Sequence, residues 1–278
     1  MTSEVVIDGR GLHTGANARV RLLPEPGPVK LRVAGASATL EELTFDGAAR
    51  STGATFADRR ARVGTVEHLF AALGGLSIHA GVAIEIEGPE VPLVDGGGGA
   101  FVDALDRLDL GRPRPPSLVV AREGIVEIGQ SRYELVPSEG VSLSVEIDFA
   151  DPRLTRRAAW DGDQADFRAR IAPARTFGFA REVEELAARG LANHVDPESV
   201  VVIADERILS AGRPFTADEP ARHKLLDLIG DLYAHGGPPI GTIRATRPGH
   251  AATHEAVRRA LAGGLLVRTT AGKPAIHP

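Results

Sequence analysis

Apolar and polar residues alternate over residues 18–23 and 29–33, and again over 124–128, 133–137 and 141–149. A period of two places successive side chains on opposite faces, so these stretches predict half-buried strands. Shorter apolar runs at 5–7, 82–86, 118–120, 200–203 and 240–245 read as further strands. A period near 3.6 marks helices at 65–73, 101–108, 163–169, 182–189, 220–233 and 251–261. Thr65 reads as the N-cap of the first helix, and Gly74-Gly75 as its end. Each half of the chain thus holds strands and helices, which predicts an α+β fold with two layers facing each other. The halves meet at Gly111-Arg112-Pro113-Arg114-Pro115-Pro116, a proline-rich stretch that favours a stiff linker. The expected domains are residues 1–112 and 117–278, and no residue-level repeat relates them.

The helix expected at 220–233 contains His223, Asp227 and Asp231 at i, i+4 and i+8. At about 100° per residue they fall within roughly 80° of one another. Leu225, Leu226, Ile229, Leu232 and Tyr233 occupy the other side. Nitrogen and oxygen donors one turn apart can reach one ion, and the set suits Zn²⁺. A hydrolytic zinc site has three protein ligands, and His68 with His223 and Asp227 would complete a His₂Asp set. Zn²⁺ held there would polarise a carbonyl and bring the pKa of a water toward neutral.

Glu67, next to a ligand, is the candidate general base. His250, in Arg247-Pro248-Gly249-His250, could protonate a leaving amine if Asp231 holds its ring. The Thr176 hydroxyl could support an oxyanion. Each piece has a plainer reading as well. A His-x₃-Asp pair can be a solvated helix face. Glu67-His68 can be a surface feature. Phe177 and Phe179, in a segment read as a loop (174–179), can be core plugs. His79, His194, His235, His254 and His277 carry no assigned role. The run Gly96–Gly99 lacks the Lys and Ser/Thr of a phosphate loop and reads as a flexible helix entry.

Composition narrows the choice. The 278 residues carry a formal net charge of −5 and no basic block, which argues against nucleic acid. With no cysteine in the chain, disulfides, Cys-type zinc sites and cysteine nucleophiles are excluded. The N-terminal stretch lacks the pattern of a signal peptide, and no apolar run approaches the ~20 residues of a membrane span. The expectation is a soluble, cytoplasmic monomer without stable membrane insertion.

Five blocks occur in one order: Gly9-Arg10-Gly11-Leu12-His13-Thr14-Gly15, Thr65-Val66-Glu67-His68-Leu69, Glu90-Val91-Pro92-Leu93-Val94-Asp95-Gly96, Ala174-Arg175-Thr176-Phe177-Gly178-Phe179 and Arg222-His223-Lys224-Leu225-Leu226-Asp227-Leu228-Ile229-Gly230-Asp231-Leu232. Together they resemble the UDP-3-O-acyl-N-acetylglucosamine deacetylases, zinc enzymes of lipid A biosynthesis, from about residue 5 to 261. The resemblance implies two similar β-α-α-β sandwich domains packed face to face, with the active site between them. It implies His68, His223 and Asp227 as zinc ligands, Glu67 as general base, and His250 with its partner Asp231 as acid or oxyanion stabiliser. It further implies Thr176 over the scissile carbonyl, Lys224 at the diphosphate, and Phe177 and Phe179 along the sugar and nucleotide. The partner would be a UDP-linked acylated amino sugar.

The chain departs from the family pattern in four places. Arg247-Pro248 stands where the family has Lys-Ser, so the loop before His250 is expected to sit differently. Asp95 is followed by four glycines. The turn Ala192-Asn193-His194-Val195-Asp196-Pro197-Glu198 is polar where an acyl passage would be lined, and residues 50–62 are arginine-rich. Two other readings follow: a paralogous zinc deacetylase acting on an N-acyl sugar without the long chain, and a non-catalytic sugar-nucleotide-binding protein.

Overall fold

The alternating stretches assemble into two five-stranded sheets in a computed structural model that describes residues 4–47, 50–57, 61–108, 110, 116–182 and 195–269. The first sheet has the spatial order Val5–Arg10, Asn17–Pro28, Ala80–Glu87, Lys30–Val33, Ala36–Thr39. The second has the order Gly124–Ile128, Ser131–Val136, Gly241–Thr246, Val141–Glu146, Arg157–Trp160. In both, the central strand is the last in sequence. It runs antiparallel to the second strand and parallel to the third. The halves therefore share one topology although no residue-level repeat betrays it. Strand order depends on which faces are apolar and how long the connections are, and both can be kept while every residue changes.

One face of each sheet points inward. Val20, Leu22, Leu31 and Ile84 line the first, and Leu135, Leu143, Val145 and Ile243 the second, all buried. Four helices carry the inner packing: α1 (Glu67–Gly75), α2 (Gly99–Leu105), α3 (Glu219–Tyr233) and α4 (His250–Ala262). All of α1 is buried, and so is every residue of α3 except Arg222 and Lys224. The His and Asp stripe of α3 is thus not a solvated face. It is enclosed because α3 packs on α1, on α4 and on the strands Val141–Glu146 and Arg157–Trp160 of the second sheet, which leaves it no free side.

α1 and α3 cross at a contact that only glycine permits. A Cβ on Gly230 would lie 2.0 Å from the Glu67 carbonyl oxygen, well inside van der Waals contact. Gly74 faces Ile229 and Tyr233 in the same way, at 3.2 and 3.3 Å. Mid-helix glycine costs ~1 kcal/mol in propensity. Here it lets the backbone that carries Glu67 and His68 rest on the helix that carries His223, Asp227 and Asp231.

A second seam runs along Gly96–Gly99. The Thr176 N–H donates to the Gly96 carbonyl at 2.7 Å, and the Gly98 N–H to the Ala172 carbonyl at 2.7 Å. A Cβ on Gly96 would fall 1.7 Å from the Ser199 carbonyl oxygen. The run read as a flexible entry is a tightly packed strip between the halves, and α2 begins at its last glycine.

Other expectations are corrected. Thr65 does not cap α1. It has φ 57°, the helix starts after Val66, and its hydroxyl donates to Glu90 Oε2 at 2.8 Å. The segment read as a loop contains a strand, Thr176–Phe179, parallel to Val200–Ile203. Four residues with a central glycine show no alternation, so a distant partner decides their conformation. The short strands Thr44–Asp46, Gly53–Thr55 and Arg62–Val63 also escaped the pattern. The linker at 111–115 and the helix at 183–189 lie outside the described residues. Among the described residues no helix is long and apolar enough to cross a membrane.

The crossing yields a sign test. At an exposed helical site Gly→Ala stabilises by up to ~1 kcal/mol. Gly230→Ala is expected instead to destabilise by about 1–3 kcal/mol through overpacking. Urea denaturation of both proteins measures it, and a stabilised variant contradicts the contact.

Candidate metal centre and active site

His68, His223 and Asp227 converge from α1 and α3, each offering one ligand atom, with all three atoms within 4.8 Å of one another and all three residues buried. His68 Nε2 lies 3.6 Å from Asp227 Oδ1, and His223 Nε2 lies 3.5 Å from the same oxygen. That oxygen is buried and has no hydrogen-bond partner. A buried carboxylate oxygen without a donor costs about 1–3 kcal/mol or more. Burial opposes ionisation of Asp227, yet the charges of Lys224 and His250 hold it well below the usual carboxylate range.

His223 is set for ligation by its second nitrogen. Its Nδ1 sits 3.0 Å from the Ala174 carbonyl oxygen, which can only accept, so Nδ1 carries the hydrogen and Nε2 presents a lone pair. Burial keeps the ring neutral, with its pKa down at about 4. An unsatisfied carboxylate oxygen, a neutral imidazole turned toward it and a second histidine fit a divalent cation of the zinc type.

The Ala174 carbonyl is itself fixed. Arg175 is fully buried, and its Nε and backbone N–H both donate to Glu219 Oε1, at 2.8 and 3.2 Å. Glu219 is the first residue of α3. The pair therefore ties the segment that orients His223 to the start of the helix that carries it. Nothing in the sequence pattern distinguished either residue.

Beside the donor set stand a carboxylate and a histidine. Glu67 Oε2 accepts from the Thr52 N–H at 2.9 Å, and its Oε1 lies 4.0 Å from His250 Nε2. Burial raises the Glu67 pKa. His250 Nδ1 lies 3.0 Å from both oxygens of Asp231, and its Nε2 lies 3.9 Å from Asp227 Oδ2. Burial disfavours the charged ring, but Asp231, Asp227 and Glu67 outweigh it and lift the pKa to about 10. His250 opens α4 after the N-cap Gly249. Pro248 precedes that cap, so its missing N–H removes no helix bond. Arg247, just before Pro248, has φ 52°.

The remaining candidates border this cluster. Lys224 Nζ donates to Asp227 Oδ2 at 2.7 Å and lies 5.9 Å from the centre of the Phe177 ring. Phe177 meets His223 edge-on at 6.1 Å, and both Phe177 and Phe179 pack on Phe149. Thr176 is half-buried at the start of their strand. The first and third sequence blocks meet here too. The Glu90 carboxylate accepts from the His13 and Thr14 N–H groups, at 3.1 and 2.5 Å, as well as from Thr65. Of the polar turn, residues 195–198 are described, and Asp196 Oδ1 accepts from the Glu198 N–H at 2.9 Å.

Three metal-type donors facing a carboxylate and a carboxylate-held histidine make up the equipment of a hydrolase that works with a metal ion. The chain's relatives narrow that class. The model of the UDP-3-O-acyl N-acetylglycosamine deacetylase family matches residues 1–262. Proteins named UDP-3-O-acyl-N-acetylglucosamine deacetylase from Brucella melitensis biotype 2, Brucella ovis and Brucella canis are each 37% identical over 269 residues, covering 92% of this chain and 92% of theirs. The chain belongs to the UDP-3-O-acyl-N-acetylglucosamine deacetylase family, and it is a hydrolase.

The donor geometry predicts that purified protein binds roughly one divalent ion per chain, and that Asp227→Ala binds close to none. Equilibrium dialysis with metal analysis checks this; equal binding by the variant would remove Asp227 from the site.

Proposed function

We propose that this protein removes the N-acetyl group of UDP-3-O-(3-hydroxyacyl)-N-acetylglucosamine in lipid A biosynthesis, with Zn²⁺ held by His68, His223 and Asp227. The observation that carries the reading is the buried, unpartnered Asp227 oxygen facing two histidine nitrogens, with Glu67 and His250 beside it. When bound, the ion supplies Lewis acidity toward the amide carbonyl and acidifies a water.

The chain's own groups handle the protons. Glu67, kept in place by the Thr52 N–H, takes the proton of the attacking water. His250, gripped through Nδ1 by Asp231, presents Nε2–H to the oxyanion and then to the leaving nitrogen. The C–N bond breaks, and acetate and a free 2-amino sugar leave. In this reading Thr176 lies over the scissile carbonyl, Lys224 meets the diphosphate, and Phe177 and Phe179 line the sugar and nucleotide.

The proposed domains are residues 1–112 and 117–278, each built on one five-stranded sheet. One chain supplies every proposed residue, which supports a monomer as the working unit. A nucleotide-activated substrate puts the reaction in the cytoplasm.

Acetate release should stop on chelation and return with Zn²⁺. Glu67→Gln should lose about 10²–10⁴-fold in kcat while keeping its metal. Full activity in that variant rejects the assignment of the base. The acyl group is tested separately: removing the long chain from the substrate should lower kcat/KM, and equal turnover would favour a deacetylase of shorter N-acyl sugars.

A further inference from the structure

Behind the Asp231–His250 pair lies a line of polar groups that hydrolysis does not use. Asp231 and the part-buried His235 are four residues apart at the end of α3. His250 and the fully buried His254 are four apart at the start of α4. Thr52, from the first half of the chain, stands between the helices. His235 Nε2 lies 2.9 Å from His254 Nδ1, His254 Nε2 lies 2.9 Å from Thr52 Oγ1, and Thr52 Oγ1 lies 2.5 Å from Asp231 Oδ1.

The hydrogen positions follow from one end. An ionised Asp231 only accepts, so the Thr52 hydroxyl spends its single hydrogen on Asp231. Thr52 Oγ1 then accepts from His254 Nε2–H. With both rings neutral, His254 Nδ1 accepts from His235 Nε2–H. Phe45 fixes the two rings, stacking near-parallel on His254 and edge-on to His235. Burial lowers the pKa of both histidines, which keeps them neutral. Every bond in the line points at the carboxylate that holds His250.

We propose that His254, backed by His235, is a positioning residue that acts through Thr52 to fix Asp231 and with it the ring of His250. The inference rests on the deacetylase reading for its kinetic consequence. The line joins both halves of the chain, since Thr52 also orients Glu67 through its N–H. One threonine thus holds the proposed base by its backbone and the partner of the proposed acid by its side chain.

The test uses zinc-loaded protein with His254→Leu, which removes both ring nitrogens, and His254→Gln, whose amide N–H can replace Nε2–H. His254→Leu should lower kcat about tenfold with KM within about twofold, and His254→Gln should recover most of the loss. In ¹⁵N-histidine-labelled protein, the His250 Nδ1–H resonance, assigned by its absence in His250→Gln, should move in His254→Leu and stay in His254→Gln. If His254→Leu does not fold, His235→Leu at the part-buried end carries the test, with a loss in kcat of about threefold and a moved resonance. Wild-type kcat with an unmoved resonance in the leucine variants overturns the proposal, as does equal impairment by leucine and glutamine at 254. A wild-type protein that releases no acetate defeats the deacetylase reading alone, and the resonance then decides the positioning role.

Discussion

The rest of the structure depends on how closely α1 lies on α3. With Gly230 directly beneath the Glu67 carbonyl, the two helix backbones touch without side chains between them. That contact sets the distance between His68 on one helix and His223 and Asp227 on the other. It also brings Glu67 into reach of His250. The two sheets and their matching strand orders are the frame that presses these helices together, and the glycine seam at Gly96–Gly99 does the same one layer away. A larger side chain at either seam would separate the halves and open the donor set.

Concentrating three carboxylates and three histidines in a buried space is costly, because ionised groups lose their hydration. The structure offsets that cost group by group. Lys224 and the unsatisfied oxygen of Asp227 define one charge-balancing problem, for which a divalent cation is the natural complement. Asp231 is satisfied by Thr52 and His250. Glu67 has one backbone donor and a raised pKa, which suits the base proposed for it. The roles proposed for the three acids differ because their partners differ.

Much of this was legible in the sequence. Alternation marked the long strands, and the 3.6 period marked α1, α3 and α4 within a few residues. The spacing of His223, Asp227 and Asp231 pointed to one helical stripe, and the three-ligand rule for hydrolytic zinc sites, with which the resemblance agrees, brought in His68 from the other half. What stayed hidden depends on partners far away in the chain. The strand Thr176–Phe179 forms only against Val200–Ile203. Arg175 and Glu219, separated by 44 positions, carry no local signature of their bond. Thr52 is one hydroxyl among many until the fold puts it between two helices. The sequence already pointed to the Asp231–His250 pairing, but nothing local ties His235 and His254 to it.

The central claim is that one metal ion sits where the two halves meet, held by His68, His223 and Asp227. Anomalous diffraction at the zinc edge from crystals of the zinc-loaded protein tests it most directly. The account predicts a single strong peak within about 2.0–2.3 Å of His68 Nε2, His223 Nε2 and an Asp227 oxygen. A peak at any other cluster, or none at this one, would contradict it.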